Sequence, residues 1–320
     1  MREATVSRTL VAEAYEDLRP LLFSIAYRML GSVAEAEDIV QEAFLRYQRA
    51  LEESARIGSP KAYLSAVVTR LAIDHLRSAR VRKESYVGEW LPEPLLTDAG
   101  APEGARYAEQ ADSLSMAFLL LLERLSPVER AVFLLHDVFD YDYAEIAAIV
   151  DRSEDNCRQL AVRARRHIEE QRPRFEASRQ AREQLAARFF DAVGEGDMDG
   201  LVELLAADVV VYGDGGGRAP SWPRPIFGRD RVVRLLLGLR DRAGELGITV
   251  RRAEVNGQPG AMFLDPSGRL INVWTLDIAD GQVQAVRSVI NPEKLGHLGP
   301  LADLSSLLHG RASGGSGGGP

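Results

Sequence analysis

The chain has 320 residues, 46% of them hydrophobic and 27% charged, which suits two or three folded domains and excludes a wholly disordered polypeptide. Its formal net charge of −8 gives no overall basic signature for nucleic acid, although a local basic face can act within an acidic chain. No apolar run approaches the roughly 20 residues of a membrane-spanning helix, the first residues have no signal-peptide core, and Cys157 is the only cysteine. The expectation is a cytoplasmic protein without membrane contact, internal disulfide, metal site or cofactor.

The first block, from about Val11 to Arg82, reads as helical. Leu18, Leu21, Leu22, Ile25, Ala26 and Met29 recur at spacings of three and four. Gly31-Ser32 ends that helix, and Ser32 with Glu35 forms a capping-box pattern for the next, which carries Ile39, Val40, Ala43, Phe44 and Tyr47. Its outer face, with Asp38, Gln41 and Glu42, is acidic: a solvated surface by default, or a docking face for a basic protein. After Gly58-Ser59-Pro60 a long helix carries Tyr63, Leu64, Val67, Val68, Leu71, Ala72 and Leu76 and ends in Arg77, Arg80, Arg82 and Lys83. Basic groups beside Tyr63, Tyr86 and Trp90 suit single-stranded DNA; arginines at a helix C-terminus also favour the macrodipole without any ligand.

Residues 84–108 read as a linker rich in proline and glycine, with Trp90 and Leu91 as a docked apolar anchor. The block from about Glu109 to Arg174 is again helical, with Ser126-Pro127-Val128-Glu129 as a helix start. Tyr143–Arg166 is a helix-turn-helix candidate, turning at Asp151-Arg152-Ser153. The residues that would reach base edges are Ser153, Glu154, Asn156, Arg158 and Gln159, with Arg152, Arg163, Arg165 and Arg166 for phosphates. A plain helical hairpin with a solvated arginine face is the competing reading.

From about 175 the pattern changes to two helices and alternating segments, with Asp265-Pro266-Ser267-Gly268 and Asp280-Gly281 as hairpin turns, an α+β domain with a mainly antiparallel sheet. The glycine- and serine-rich end, 313–320, reads as a flexible tail. Catalytic motifs are poor: the five histidines show no metal-ligand spacing, and His136 reads as a semi-buried core residue. Asp208, Asp214, Asp265 and Asp277 are the carboxylates placed to reach the mouth of the last domain, where turn acids more often bond locally.

Two segments of the helical blocks, LRPLLFSIAYRMLGSVAEAEDIVQEAFLRYQRA with PKAYLSAVVTRLAIDHLRSAR, and LLERLSPVERAVFLLHDVFDYDYAEIAAIVDRSEDNCRQLAVRARRHI, resemble in order and spacing the two conserved domains of bacterial extracytoplasmic-function sigma factors. The segments YVGEWLPEP, Asp214-Gly215-Gly216-Gly217-Arg218 and Asn291-Pro292-Glu293-Lys294-Leu295 resemble the signatures of the subgroup with a fused SnoaL-like, NTF2-like cone domain, close to DGGGK and NPDKL. Here Arg218 stands for lysine and Glu293 for aspartate.

The resemblance implies two all-α sigma domains, the second with a helix-turn-helix, followed by an α+β NTF2-like domain. The divisions are 1–83 for region 2, 84–108 for the linker, 109–174 for region 4, 175–298 for the SnoaL-like domain and 299–320 for the tail. It implies an alternative sigma factor that works with core RNA polymerase and promoter DNA. Asp38, Gln41 and Glu42 would dock on the β′ clamp helices, and the β flap is a further expected contact. Gly58, Ser59, Tyr63, Asp74, Arg77, Arg80 and Arg82 would read the −10 element; Arg152, Ser153, Asn156, Arg158, Gln159 and Arg163 would read the −35 element.

Trp90, Leu91, Pro92, Glu93 and Pro94, with the DGGGR and NPEKL residues, would form a regulatory contact that replaces a separate anti-sigma factor. Two other readings of the last domain stay open: a SnoaL-like enzyme using Asp208, Asp214 or Asp277, and a sensor with a small-molecule ligand in its cone.

Overall fold

The computed structural model describes residues 2–53, 55–84, 86–97, 113–170 and 178–304, with backbone alone for 2–10 and 79–84. The linker residues 98–112 and the tail beyond 304 lie outside the described residues. Two compact units result: residues 1–85 with 117–172, and residues 86–116 with 173–320.

The first unit is helical. It holds α1 (Arg2–Leu30), α2 (Val33–Glu52), α3 (Pro60–Glu84), α4 (Met116–Leu122, its first residue in the other unit), α5 (Pro127–Phe133), α6 (Tyr143–Val150) and α7 (Glu154–Glu169). Helix α1 begins nine residues before the Val11 expected from periodicity. Ser32 accepts from the Glu35 amide at 3.2 Å and starts α2, whose buried stripe is Val33, Ala36, Ile39, Val40, Ala43, Phe44 and Tyr47. The capping box at Ser126 and Glu129 starts α5, which runs into a π-helical turn, Leu134–Val138.

Residues 22–30 of α1 are buried on every side, Arg28 included. The Arg28 guanidinium bonds the Ser24 hydroxyl and lies 5.4 Å from the Phe139 ring centroid. Arg130 is equally buried. It donates to the carbonyls of Leu122 and Met29 and pairs with Glu123 at 3.1 Å, and burial pulls its pKa down. One cation thereby ties the ends of α1 and α4 to α5.

Helix α3 has a second buried side that its hydrophobic pattern does not announce. Ser65 and Thr69 are both buried, and the Ser65 hydroxyl bonds Tyr141 at 2.7 Å. Arg70 donates to the Ala148 and Ile149 carbonyls at 2.8 Å each, supplying partners that the last turn of α6 lacks.

The second unit packs α8 (Arg179–Glu195), α9 (Met198–Leu204) and α10 (Arg229–Leu246) against one six-stranded sheet. Its strands are β1 (Leu205–Asp214), β2 (Ile226–Phe227), β3 (Thr249–Val255), β4 (Gln258–Leu264), β5 (Leu270–Ala279) and β6 (Gln282–Val289), in the order β2-β1-β6-β5-β4-β3. All pairs are antiparallel except β1–β6. The turn at Asp280-Gly281 has both residues at positive φ, as a two-residue hairpin requires.

Asp265 accepts from the Ser267 and Arg269 amides and from the Arg269 side chain, so it serves its own turn. Register shifts in three pairings mark bulges that curve the sheet. The core lies on its concave face, among Phe189, Leu201, Val209, Leu236, Leu276 and Val286. Among the described residues no helix is long and apolar enough to cross a membrane, and none form a metal-ligand cluster.

Candidate functional site

The acidic face of α2 presents Asp38 and Gln41 to solvent, while Glu42 is half-buried and paired with Arg46 at 2.7 Å. Leu45 is 43% exposed on the same helix and Tyr15 is 39% exposed on α1. With Val40, Gln41 and Phe44 they line a groove of about 300 Å³ that Glu37 and Gln48 also border, and its apolar side chains are what a reading based on charge alone misses. An exposed leucine one turn from Gln41 was the available signal.

Of the residues assigned to the −10 element, Gly58 and Ser59 are exposed before α3, and Ser59 accepts from the Ala62 amide as its cap. Tyr63 is half-buried with its ring 5.9 Å from Tyr47, and Asp74 and Arg77 pair at 3.2 Å on the open face of α3. The side chains of Arg80 and Arg82 lie outside the described residues.

The helix-turn-helix segment forms as α6, a turn with Asp151 in the left-handed region, and α7. The Ser153 hydroxyl caps α7 by accepting from the Asn156 amide, so it has a structural duty. Arg158 is held by Glu154 and Asp155 at 2.8 and 2.9 Å and lies over the Tyr143 ring. These pairs are exposed, and a DNA phosphate or base can displace them at little cost. Arg152 bonds the Asp151 carbonyl, Asn156 is half-buried, and Gln159 and Arg163 are exposed. Val162, 62% exposed, sits between them on one face of α7 and offers a methyl contact that polar-residue reasoning overlooks. His136 is half-buried, its Nδ1 3.0 Å from the Tyr141 carbonyl.

The WLPEP, DGGGR and NPEKL segments, far apart in sequence, meet in the second unit. Asp214 at the end of β1 is fully buried. It accepts from the Tyr86 hydroxyl at 2.5 Å, the Leu91 amide at 2.8 Å and the Lys294 ammonium at 2.7 Å. Lys294 also donates to the Leu91 carbonyl and lies 4.4 and 4.9 Å from the Trp90 and Tyr86 ring centroids. Burial, then the bond to Asp214, drives the Tyr86 pKa well above the usual phenol value.

The Asn291 amide donates to the Tyr86 oxygen at 2.9 Å, and the Ile290 and Asn291 backbone amides both donate to the Asp214 carbonyl. Gly216 has φ +57°, and any Cβ there would overlap the Asn291 amide, so only glycine fits. Gly217, at φ +69°, faces Val87, and Gly215 is buried beside Ser221. The two residues that depart from the family pattern, Arg218 and Glu293, pair with each other at 3.0 Å on the surface.

The rest of the linker continues along the sheet. Leu91, Pro92, Glu93 and Pro94 are buried, and His297 Nε2 is 2.8 Å from the Pro94 carbonyl. Pro292 and Leu295 close the short turn that positions Lys294, with Leu295 1% exposed. Leu96 bridges to Val255 at the end of β3, and Leu95 exchanges hydrogen bonds with Asn256. Asn256 reaches on to the Leu114 carbonyl, and Thr97 bonds Glu254 and the Gly257 amide. Extended linker backbone therefore satisfies part of an otherwise open strand edge.

A cavity of about 900 Å³ opens between the concave sheet face and α10. None of the carboxylates expected at its mouth lines it. Asp208 is exposed, Asp214 turns to the linker, and Asp277 pairs with Arg287 at 2.7 Å on the face opposite Trp274.

Three family models cover the chain: Sigma-70 region 2 at residues 14–82, Sigma-70, region 4 at 115–168 and SnoaL-like domain at 186–290. The ECF RNA polymerase sigma factor SigJ of Mycobacterium tuberculosis is 39% identical over 288 residues, spanning 88% of this chain and 91% of the relative. A second protein of that organism, named "Probable ECF RNA polymerase sigma factor SigI", is 33% identical over 89% of this chain and 94% of its own. The crystal structure of M. tuberculosis SigJ superposes with a TM-score of 0.72 at 38% identity, covering 89% of this chain and 98% of that one. With two sigma regions in order and a SnoaL-like domain behind them, the chain belongs to the extracytoplasmic-function sigma factors, and it is an alternative sigma factor that directs transcription initiation by RNA polymerase at promoter DNA.

Proposed function

We propose that the SnoaL-like domain is the built-in regulator of this sigma factor and that it acts by holding the linker. One observation carries the reading: buried Asp214 receives the Tyr86 hydroxyl, the Leu91 amide and Lys294 at once. A linker so bound is withdrawn from the path that the family resemblance gives it through polymerase. Within the helical unit, Ser65–Tyr141 and Arg70 on the α6 carbonyls also hold the two DNA-reading blocks together. Both contacts must open for −10 and −35 elements to be read at the same time, so the structure is read as the resting state.

In the active state, Asp38, Gln41 and Glu42 dock on the β′ clamp helices, and region 4 meets the β flap. The α3 residues read the −10 element, and Asn156, Arg158 and Gln159 read the −35 element, with Arg152 and Arg163 on its phosphates. No separate anti-sigma factor is required, and the site of action is the cytoplasm. The last domain regulates rather than catalyses: the three aspartates weighed for chemistry are committed to solvent, the linker and Arg287. Its cavity takes a small-molecule signal.

Transcription in vitro with core RNA polymerase tests this from both sides of the contact. Trp90→Ala and Lys294→Met should each raise the yield of promoter-specific transcript over the full-length protein. Unchanged yield from both, with promoter-dependent transcription intact, would leave the linker contact without a regulatory role.

A further inference from the structure

We infer that the cavity of the second unit binds an uncharged, mainly apolar ring compound carrying a hydrogen-bond donor, and that this ligand loosens the linker contact. The inference rests on the regulatory reading above and gives its signal a chemistry. Phe190, Leu236, Phe263, Ile271, Trp274 and Ile290 are among the apolar side chains of the wall, and at about 900 Å³ the space suits a ligand of drug size.

The polar groups in this wall are few and unevenly served. Ser288 Oγ accepts from both the Trp274 indole at 3.1 Å and the Asn272 amide nitrogen at 3.2 Å. That bond fixes the Asn272 amide and leaves its Oδ1 buried without a partner among the described residues. The Ser221 hydroxyl is buried in the same condition. Leaving such groups unmet costs free energy, and a ligand hydroxyl or N–H meets them. The charged residues among the lining, Arg240, Asp241, Arg242 and Arg252, are all exposed, with Arg240 paired to Asp241 and Arg252 to Asp191, and the remaining lining residues carry no charge, so the interior favours a neutral molecule.

The same wall is the back of the linker contact. Ser221 and Trp222 line the cavity, and a Cβ on Gly213 would lie 2.6 Å from the Ser221 hydroxyl and 2.5 Å from the Trp222 ring. No slack separates these side chains from the strand that ends in Asp214. Ile290 lines the cavity while its amide bonds the Asp214 carbonyl, and Asn291 follows it directly. A ligand that displaces Trp222 or Ile290 therefore moves the groups that hold Tyr86 and Leu91. Close packing transmits such a shift instead of absorbing it.

The test uses the full chain and two probes that differ only by a sulfonate, N-phenyl-1-naphthylamine and 1-anilinonaphthalene-8-sulfonate. The neutral probe should bind saturably at one site, at least tenfold tighter than the anion. Asn272→Leu should weaken it about tenfold, the loss of one hydrogen bond. Leu239→Trp, which fills the space, should abolish binding, with thermal melting confirming that both variants fold. Hydrogen exchange of peptides covering residues 86–97 should then quicken at least threefold when the neutral probe saturates. Absence of binding to the native chain, or equal binding of the anion, overturns the ligand chemistry. Binding with unchanged or slower exchange overturns the coupling. Either result leaves the transcription experiment standing, so this inference and the regulatory reading fail separately.

Discussion

Lys294→Met is the sharpest perturbation of the linker contact. The Lys294–Asp214 pair is buried, with side-chain exposures of 9% and 0%. Methionine fills the aliphatic stem but removes the charge, leaving the Asp214 carboxylate in the interior with the Tyr86 hydroxyl and Leu91 amide as its donors among the described residues. Breaking a buried pair from one side costs about 3–5 kcal/mol, and the two remaining donors put this case near the lower end. In a unit of this size each kcal/mol is worth about 2–4 °C, so its melting temperature should fall by about 6–12 °C.

Local opening should respond as well. A loss near 3 kcal/mol speeds exchange of the Leu91 amide by roughly a hundredfold, since about 1.4 kcal/mol is a factor of ten. A double-mutant cycle with Asp214→Asn isolates the pair, because the second substitution should cost much less once the first is made. Additivity within about 0.5 kcal/mol, or an unaltered Leu91 exchange rate, would refute the claim that this pair fastens the linker.

Leu45→Glu should lower affinity for core RNA polymerase at least tenfold, measured by anisotropy with labelled protein, because it replaces the exposed leucine of the groove beside Gln41 with a charge; a loss confined to Asp38 and Gln41 variants would restrict docking to the polar face. On the −35 side, Gln159→Ala should relax sequence preference at one position by about 1–3 kcal/mol, whereas Arg163→Ala should weaken all sites evenly and reduce the salt slope by about one. Tyr86 makes the contact sensitive to alkali. Its pKa is raised in the folded state, so the stability it contributes is complete below the unfolded value near 10 and is lost as pH rises through the folded value. Tyr86→Phe should remove one late-ionising tyrosine from an absorbance titration and abolish the alkaline loosening of residues 86–97; an unchanged titration curve refutes the assignment.

Much of the molecule was legible before folding. Helix periodicity, the Ser32 and Ser126 caps, the Asp151 turn and the Asp280-Gly281 hairpin are local features, and local chemistry determines them through backbone geometry and spacing. Hence the two helices and turn of 143–166 and the α+β character of the last domain follow from the residues, while the choice of a helix-turn-helix over a plain helical hairpin rested on the family resemblance. The three signature segments could be listed as a group by resemblance, and Trp90-Leu91 could be read as an anchor.

What they anchor to is a tertiary matter. Asp214, Tyr86 and Lys294 are separated by more than a hundred residues on one side and about eighty on the other, and only the curvature of the sheet and the Gly216 turn bring them together. The structural duties of Ser65, Arg70 and Arg130 escape sequence reading for the same reason, because each serves a carbonyl or hydroxyl supplied by a distant segment. Asp277 carries the lesson in reverse: as a carboxylate in a cone domain it invites a catalytic reading, yet alternation along β5 turns it from the cavity to Arg287. Sequence alone thus determined the elements and the family, because those depend on neighbours in the chain. The linker contact and the cavity were decided by the fold, because burial, pairing and direction depend on neighbours in space.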